Sequence, residues 1–154
     1  VGDVVTVGTA NSDLAGTTLN NTTFQTLAIS QLSAAGTYSL TAAVDTDGVH
    51  ILELTGGNET TADLATDFGA AESGAELLKL LGVAGQAATS ITVDADDDLM
   101  ILAYDNGDAF LYNVEPGNAD GVAIASEITP LVWFDSTAGT IVNGAFDKTD
   151  FLLG

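Results

Sequence analysis

The sequence predicts a mainly β protein: a single antiparallel, β-sandwich-like domain with one or two short helices and an extended N-terminal arm. Three observations lead there. Short runs rich in Ile, Val, Leu, Tyr and Phe, such as Leu99–Tyr104 and Ala109–Val114, recur between clusters of Gly, Asn and Asp, as strands do between turns. Asn106-Gly107 joins those two runs, and Asn-Gly is the pair that most readily takes the two positive φ angles of a type I′ hairpin turn. The chain has 154 residues, of which 46% are apolar, which suits one domain with a closed core.

Residues 1–21 read as an extended arm or first strand, and residues 22–154 as the β-rich domain. In the arm, Val5, Val7 and Thr9 alternate with Val4, Thr6 and Gly8. Val4, Val5 and Val7 are therefore candidates for a donor strand that completes a neighbouring subunit's sheet through backbone hydrogen bonds. An ordinary first strand in the chain's own sheet fits the same pattern. Phe24, Leu27, Ala28 and Leu32 lie near helical spacing, so Thr23–Leu32 reads as a short helix stopped at Ala35-Gly36. Thr37–Val44 and Val49–Leu54 read as a hairpin across Asp45-Thr46-Asp47-Gly48.

Thr61–Gly82 reads as helix in two pieces, Ala62–Phe68 and Ala75–Leu81. In the second, Leu77, Leu78, Leu80 and Leu81 form the apolar face and Gly82 the stop. Thr89–Val93 is a strand ahead of the Leu99–Val114 hairpin. Ala123–Phe134 holds another strand with Ile128, Leu131 and Trp133 as core residues, and Pro130 confines it to an edge or a bulge. Thr140–Val142 and Phe146–Leu153 close the fold.

Charge narrows the partners. Twenty-two Asp and Glu residues face two bases, Lys79 and Lys148, and the formal net charge is -20. Such a surface cannot neutralise phosphates, which excludes nucleic acid, and an anionic leaflet repels it. The best apolar runs are too short and too interrupted for a membrane helix, so membrane insertion is not expected. Divalent cations and further copies of the chain remain as partners. Charged residues make up only 16% and mean hydropathy is +0.32, so the acid excess reflects missing bases in a folding chain, not a disordered acidic tail. There is no cysteine, which removes disulfides, thiolate metal sites and Cys nucleophiles. No basic leader or initiator Met precedes Val1, as in a processed chain or a piece of a longer one, and the Thr, Ala, Gly and Asp richness points to an extracellular or cell-surface location.

Asp94, Asp96, Asp97 and Asp98 crowd one inter-strand segment, and calcium's loose shell of oxygen ligands would accommodate several of them; a solvated acidic turn is the alternative. Strand alternation keeps one ion from collecting all four. Asn118-Ala119-Asp120-Gly121 with Glu127 six residues after the glycine matches the second half of an EF-hand loop, although Pro116 stands where the leading Asp belongs. Asp94, Asp96, Asp98, Asn118, Asp120 and Glu127 are thus the calcium candidates. Asp45-Thr46-Asp47-Gly48 is accounted for by turn chemistry.

Catalytic sets are poor. The one histidine, His50, sits in a predicted strand, no Gly-x-Ser-x-Gly elbow or phosphate loop occurs, and the chain reads as a non-enzyme. Tyr104, Phe110, Tyr112, Trp133 and Phe134 suit core packing, with an aromatic sugar platform as the alternative.

Ala75–Gly82, Ile91-Thr92-Val93-Asp94, Ala103–Tyr112, Asp120-Gly121, Ser126-Glu127-Ile128 and Phe146–Leu153 together resemble the C-terminal modules of bacterial type I secreted, RTX-type proteins. The resemblance covers roughly the last half of the chain. It implies export of the unfolded chain in one step, an uncleaved C-terminal signal, and folding outside the cell on meeting calcium. The Gly-Gly-x-Gly-x-Asp nonapeptide repeats are absent, so the calcium β-roll of that family does not carry over. The expectation is a non-enzymatic extracellular structural protein that self-assembles into a filament, matrix or surface layer after type I export. The alternative is a calcium-responsive C-terminal secretion module of a larger adhesin or hydrolase.

Overall fold

The computed structural model describes residues 5–7, 24–28, 36–39, 51–55, 62–66, 68–69, 74–82, 87–93, 99–117, 121–136, 140–147 and 150–153. Among them are strands β1 (Val5–Val7), β2 (Phe24–Ala28), β3 (Thr37–Ser39), β4 (Ile51–Thr55) and β5 (Ser90–Thr92). The second half adds β6 (Leu99–Asp105), β7 (Asp108–Val114), β8 (Val122–Ala123), β9 (Ile128–Phe134) and β10 (Phe151–Leu153). Helix α1 spans Gly74–Leu81, and a 3₁₀ turn spans Ala125–Glu127. The protein is mainly β, as expected. A five-stranded sheet has the order β2-β4-β6-β7-β9, a three-stranded sheet the order β3-β5-β8, and β1 pairs with β10.

The sheets are mixed, where the sequence suggested antiparallel pairing. β6–β7, β7–β9 and β5–β8 are antiparallel, but β1–β10, β2–β4, β4–β6 and β3–β5 are parallel. From β2 to β6 the chain alternates between the two larger sheets, and each return enters a sheet in the same direction as before. The expected hairpin of residues 37–54 is therefore not formed. Its two strands lie in different sheets, because β4 already has β2 on one side and β6 on the other. Thr23–Leu32, expected as helix, contributes strand β2, where ladder pairing with β4 overrides a weak helical spacing. Ala62–Phe68 is likewise no helix: Asp63 draws the Thr66 N–H to its own side chain (3.2 Å) and carbonyl (3.1 Å), closing a local turn.

Two expectations are met closely. Asn106 (φ 51°) and Gly107 (φ 90°) turn β6 into β7 with Asp105 opposite Asp108. β9 is an edge strand, and its register shifts where Leu111 faces Val132 and Tyr112 faces Pro130, leaving Leu131 as the bulged residue. Trp133 is the exception among the expected core residues, being 41% exposed. It lies stacked on buried Phe110, with ring centroids 5.7 Å apart.

Strands β4, β6 and β7 are buried on both faces, which explains why Leu99–Ala103 is an unbroken apolar run and not an alternating one. Leu52, Leu54, Ile101, Phe110 and Tyr112 face one way, against Leu77, Leu80 and Leu81 of α1 and Ile91 of β5. Ile51, Met100, Leu102 and Leu111 face the other, against Phe151, Ile141 and Phe146 of the C-terminal segment. Each fully buried Leu, Ile or Phe contributes about 1.5–3 kcal/mol, so both layers matter to stability.

Helix α1 ends with the Gly82 N–H on Lys79 O (3.1 Å), and it begins at a close approach: a Cβ on Gly74 would overlap Ala125 O and Ile128 Cβ. Gly74→Ala is expected to destabilise the fold by about 1–3 kcal/mol through this overpacking, read as a lower urea midpoint at unchanged slope.

Candidate functional site

Among the described residues, three carboxylates are buried: Glu53 on β4, Glu76 on α1 and Asp105 at the end of β6, each at most 4% exposed. With so few bases in the chain, neutral donors do most of the work of receiving them. Glu53 Oε1 accepts the Tyr104 hydroxyl (2.6 Å) and the Gly144 N–H (2.7 Å). Glu76 Oε2 accepts the Asp63 N–H (3.1 Å), and its Oε1 pairs with Lys79 one turn along the helix. Asp105 Oδ2 accepts the next peptide N–H, that of Leu64 (3.0 Å). Tyr112 is fully buried, and among the described residues its hydroxyl has no hydrogen-bond partner.

Burial, reinforced by Glu53, drives the Tyr104 phenol far above its ordinary pKa. Burial does the same to Tyr112, with the charges of Glu76 and Asp105 adding to it. Both phenols therefore stay protonated throughout the physiological range, and Tyr104 donates a hydrogen bond to Glu53.

Glu53 also anchors a strap, residues 140–147, that runs over the second face of the sheet. The Ile141 N–H donates to Gly107 O (2.7 Å), the Asn143 side chain to Leu54 O (3.2 Å), and Phe146 packs on Phe134 and Phe151 at centroid distances of 4.7 and 5.8 Å. Between the strap and the β6–β7 turn lies a cleft of about 290 Å³ lined by Tyr104, Asp105, Asn106, Gly107 and residues 140–143. At the same turn, where β7 begins, Asp108 accepts the Ser136 N–H (2.9 Å), the Ser136 hydroxyl (2.8 Å) and the Trp133 indole N–H (2.9 Å). Ser136, more than Trp133, holds the Asp108 carboxyl below its ordinary pKa.

Asp94, Asp96, Asp98, Asn118, Asp120, Val4 and His50 lie outside the described residues. Glu127 is described, and its role is that of a loop clamp: Oε1 accepts the Gly117 N–H (2.9 Å) and Oε2 the Ile124 N–H (2.9 Å). A Cβ at Gly117 would overlap Glu127 Oε1, so glycine is what allows this clamp to close. Val5 and Val7 pair with Phe151 and Leu153 of the same chain. The five aromatic residues do not form one platform, because Phe110 and Tyr112 face α1 while Tyr104 and Phe134 lie on the opposite face.

Sequence reasoning missed Glu53, Glu76 and Asp105. The signal was present in Ile51-Leu52-Glu53-Leu54: a lone carboxylate inside an apolar run on a central strand has to be buried with its own donors.

Among the described residues, no three or more His, Asp or Glu side chains converge as a metal-ligand set, and no helix is long and apolar enough to cross a membrane. Comparison with family models, curated proteins and solved structures returns no match.

Removing the phenol in Tyr104→Phe leaves Glu53 with one fewer donor, at an expected cost of about 1–3 kcal/mol, and faster amide exchange at Asn143 and Gly144 will report the loosened strap. Asp108 gives a pH test. A carboxyl with a lowered folded pKa stabilises fully above its unfolded pKa of about 3.9 and loses that contribution as pH falls through the folded value. The Tm difference between the wild type and Asp108→Ala, followed by Trp133 fluorescence, is therefore expected to be constant near neutrality and to shrink in acid.

Proposed function

We propose that the chain is a non-enzymatic extracellular structural protein, exported by a type I route, whose subunits join by exchange of strand β1 into a filament, matrix or surface layer. The observation that carries this reading is the pairing of β1. Among the described residues its strand neighbour is β10, through a three-residue parallel ladder running from Val5–Phe151 to Val7–Leu153. Two-stranded ribbons are marginal by themselves, so this is the joint most readily opened. The acceptor side is firm, since Phe151 is buried among Met100, Leu102 and Leu111. A second copy's β1 would make the same backbone hydrogen bonds to β10, and nothing else in the fold would have to change.

Calcium enters this reading through charge. Subunits with a net charge of -20 repel one another, and divalent ions screen that repulsion. The alternative, a calcium-responsive secretion module of a larger adhesin or hydrolase, is favoured by a different observation. The stretches resembling the RTX-type C-terminal modules pack together, with Phe146 and Phe151 against the β6–β7 sheet.

Electron microscopy and sedimentation of the purified chain, with calcium and with chelator, test the assembly. Ordered polymers are expected with calcium, and a Val5→Asp, Val7→Asp double variant is expected to remain monomeric while keeping its folded core. A wild-type chain that stays monomeric at every calcium and protein concentration overturns the proposal.

A further inference from the structure

We infer that Asn143-Gly144 is a self-modification site, at which the Gly144 nitrogen attacks the Asn143 side chain with buried Glu53 as the base. The inference does not rest on the assembly reading.

The chain has two Asn-Gly pairs, Asn106-Gly107 and Asn143-Gly144, and Asn106, Gly107 and Asn143 line the same cleft. Such pairs are predisposed to one reaction. Nucleophile and electrophile are already joined through covalent bonds, so ring closure needs no encounter, and glycine puts no side chain in the way. What limits the reaction is a proton, because a peptide nitrogen attacks only once its hydrogen is taken. The structure supplies a base for one of the two pairs. The Gly144 N–H donates to Glu53 Oε1 at 2.7 Å, within reach for proton abstraction.

Glu53 is 1% exposed and stands on β4, so the base is fixed by the central sheet and not by the strap it touches. The Asn143 amide is held from the next residue of that strand, since its Nδ2 donates to Leu54 O at 3.2 Å. Neighbouring positions of β4 therefore hold both the proton to be removed and the amine to be expelled. Access is open on the other side. Asn143 and Gly144 are exposed, and among the described residues no atom lies within 4 Å of where a Gly144 Cβ would stand.

Glu53 takes the Gly144 amide proton as that nitrogen bonds to Asn143 Cγ. The adduct collapses by breaking the Cγ–Nδ2 bond, the proton passes from Glu53 to the departing nitrogen, and ammonia leaves. Water then opens the succinimide at either carbonyl and leaves aspartate or isoaspartate at position 143. Water enters and ammonia departs, so no oxidant or cofactor is needed. The product lacks Nδ2 and with it the bond to Leu54 O, and its new carboxylate lies beside the Gly144–Glu53 contact. Both changes loosen the strap, which makes the reaction a slow, one-way release of the second face of the sheet.

The folded chain and the chain in urea are incubated across the neutral pH range. Digestion and mass spectrometry follow the succinimide and its hydrolysis products at Asn143 and, as the internal reference, at Asn106. Asn143 is expected to react on the order of a hundredfold faster in the folded chain than in urea. Its rate is expected to rise less than in proportion to hydroxide, because a carboxylate removes the proton. Glu53→Gln, which keeps an acceptor for the Gly144 N–H, is expected to abolish this advantage and leave the Asn106 rate unchanged. Tyr104→Phe, which loosens the same strap but keeps the carboxylate, is expected to retain the fast reaction. A folded-chain rate at Asn143 no greater than that in urea overturns the proposal. So does an unaltered rate in Glu53→Gln, and so does an equal loss in Glu53→Gln and Tyr104→Phe, which would report strap position alone.

Discussion

A carboxylate taken out of water must be met by a cation or by hydrogen-bond donors, and this chain has two lysines and no arginine. Much of the structure follows from that constraint. Glu53 is met by a phenol and a peptide N–H, Asp105 by a peptide N–H, and Glu76 by a peptide N–H and Lys79. The same device works near the surface, where Asp108 gathers Ser136 and Glu127 gathers Gly117 and Ile124. In each case the donated N–H comes from a loop, so the carboxylate fixes where that loop runs. Acids taken out of water thus determine where loops run over both faces of the sheet.

That sheet is the other half of the design. Burial on both faces means β4, β6 and β7 become stable only when α1 and β5 cover one side and the strap and β10 cover the other. The strap is short and sets Ile141 and Phe146 against the core, and Glu53 reaches it from within the sheet through Gly144. Tyr104 braces the same carboxylate from the neighbouring strand β6. Stability on this face therefore joins a polar latch to an aromatic contact among Phe134, Phe146 and Phe151.

What was legible in the sequence was local. Asn106-Gly107 specified its turn because few residue pairs tolerate two positive φ angles, and Pro130 specified an edge because it cannot donate to a ladder. Leu77–Leu81 specified a helix by spacing, and Gly82 its end. Partner choice was not legible: nothing in Thr37–Ser39 or Ile51–Thr55 says that each pairs in parallel with a strand reached only after crossing to the other sheet. The candidate site suffered from the opposite bias. Dense acidic segments attract the eye, whereas the carboxylates with defined partners are single residues within apolar or turn sequences, as Glu53 is between Leu52 and Leu54.

The pairing of Val5 with Phe151 joins segments separated by nearly the whole chain. Closing so large a circuit loses chain entropy before any contact compensates, and parallel pairings made across sheets add to the delay. Folding is therefore gated by completeness: the second face of the central sheet stays uncovered until residues 140–153 are present. During that interval unpaired strand edges invite association with other chains. A high negative charge, concentrated from Asp45 onward, is what keeps such half-built molecules apart in solution.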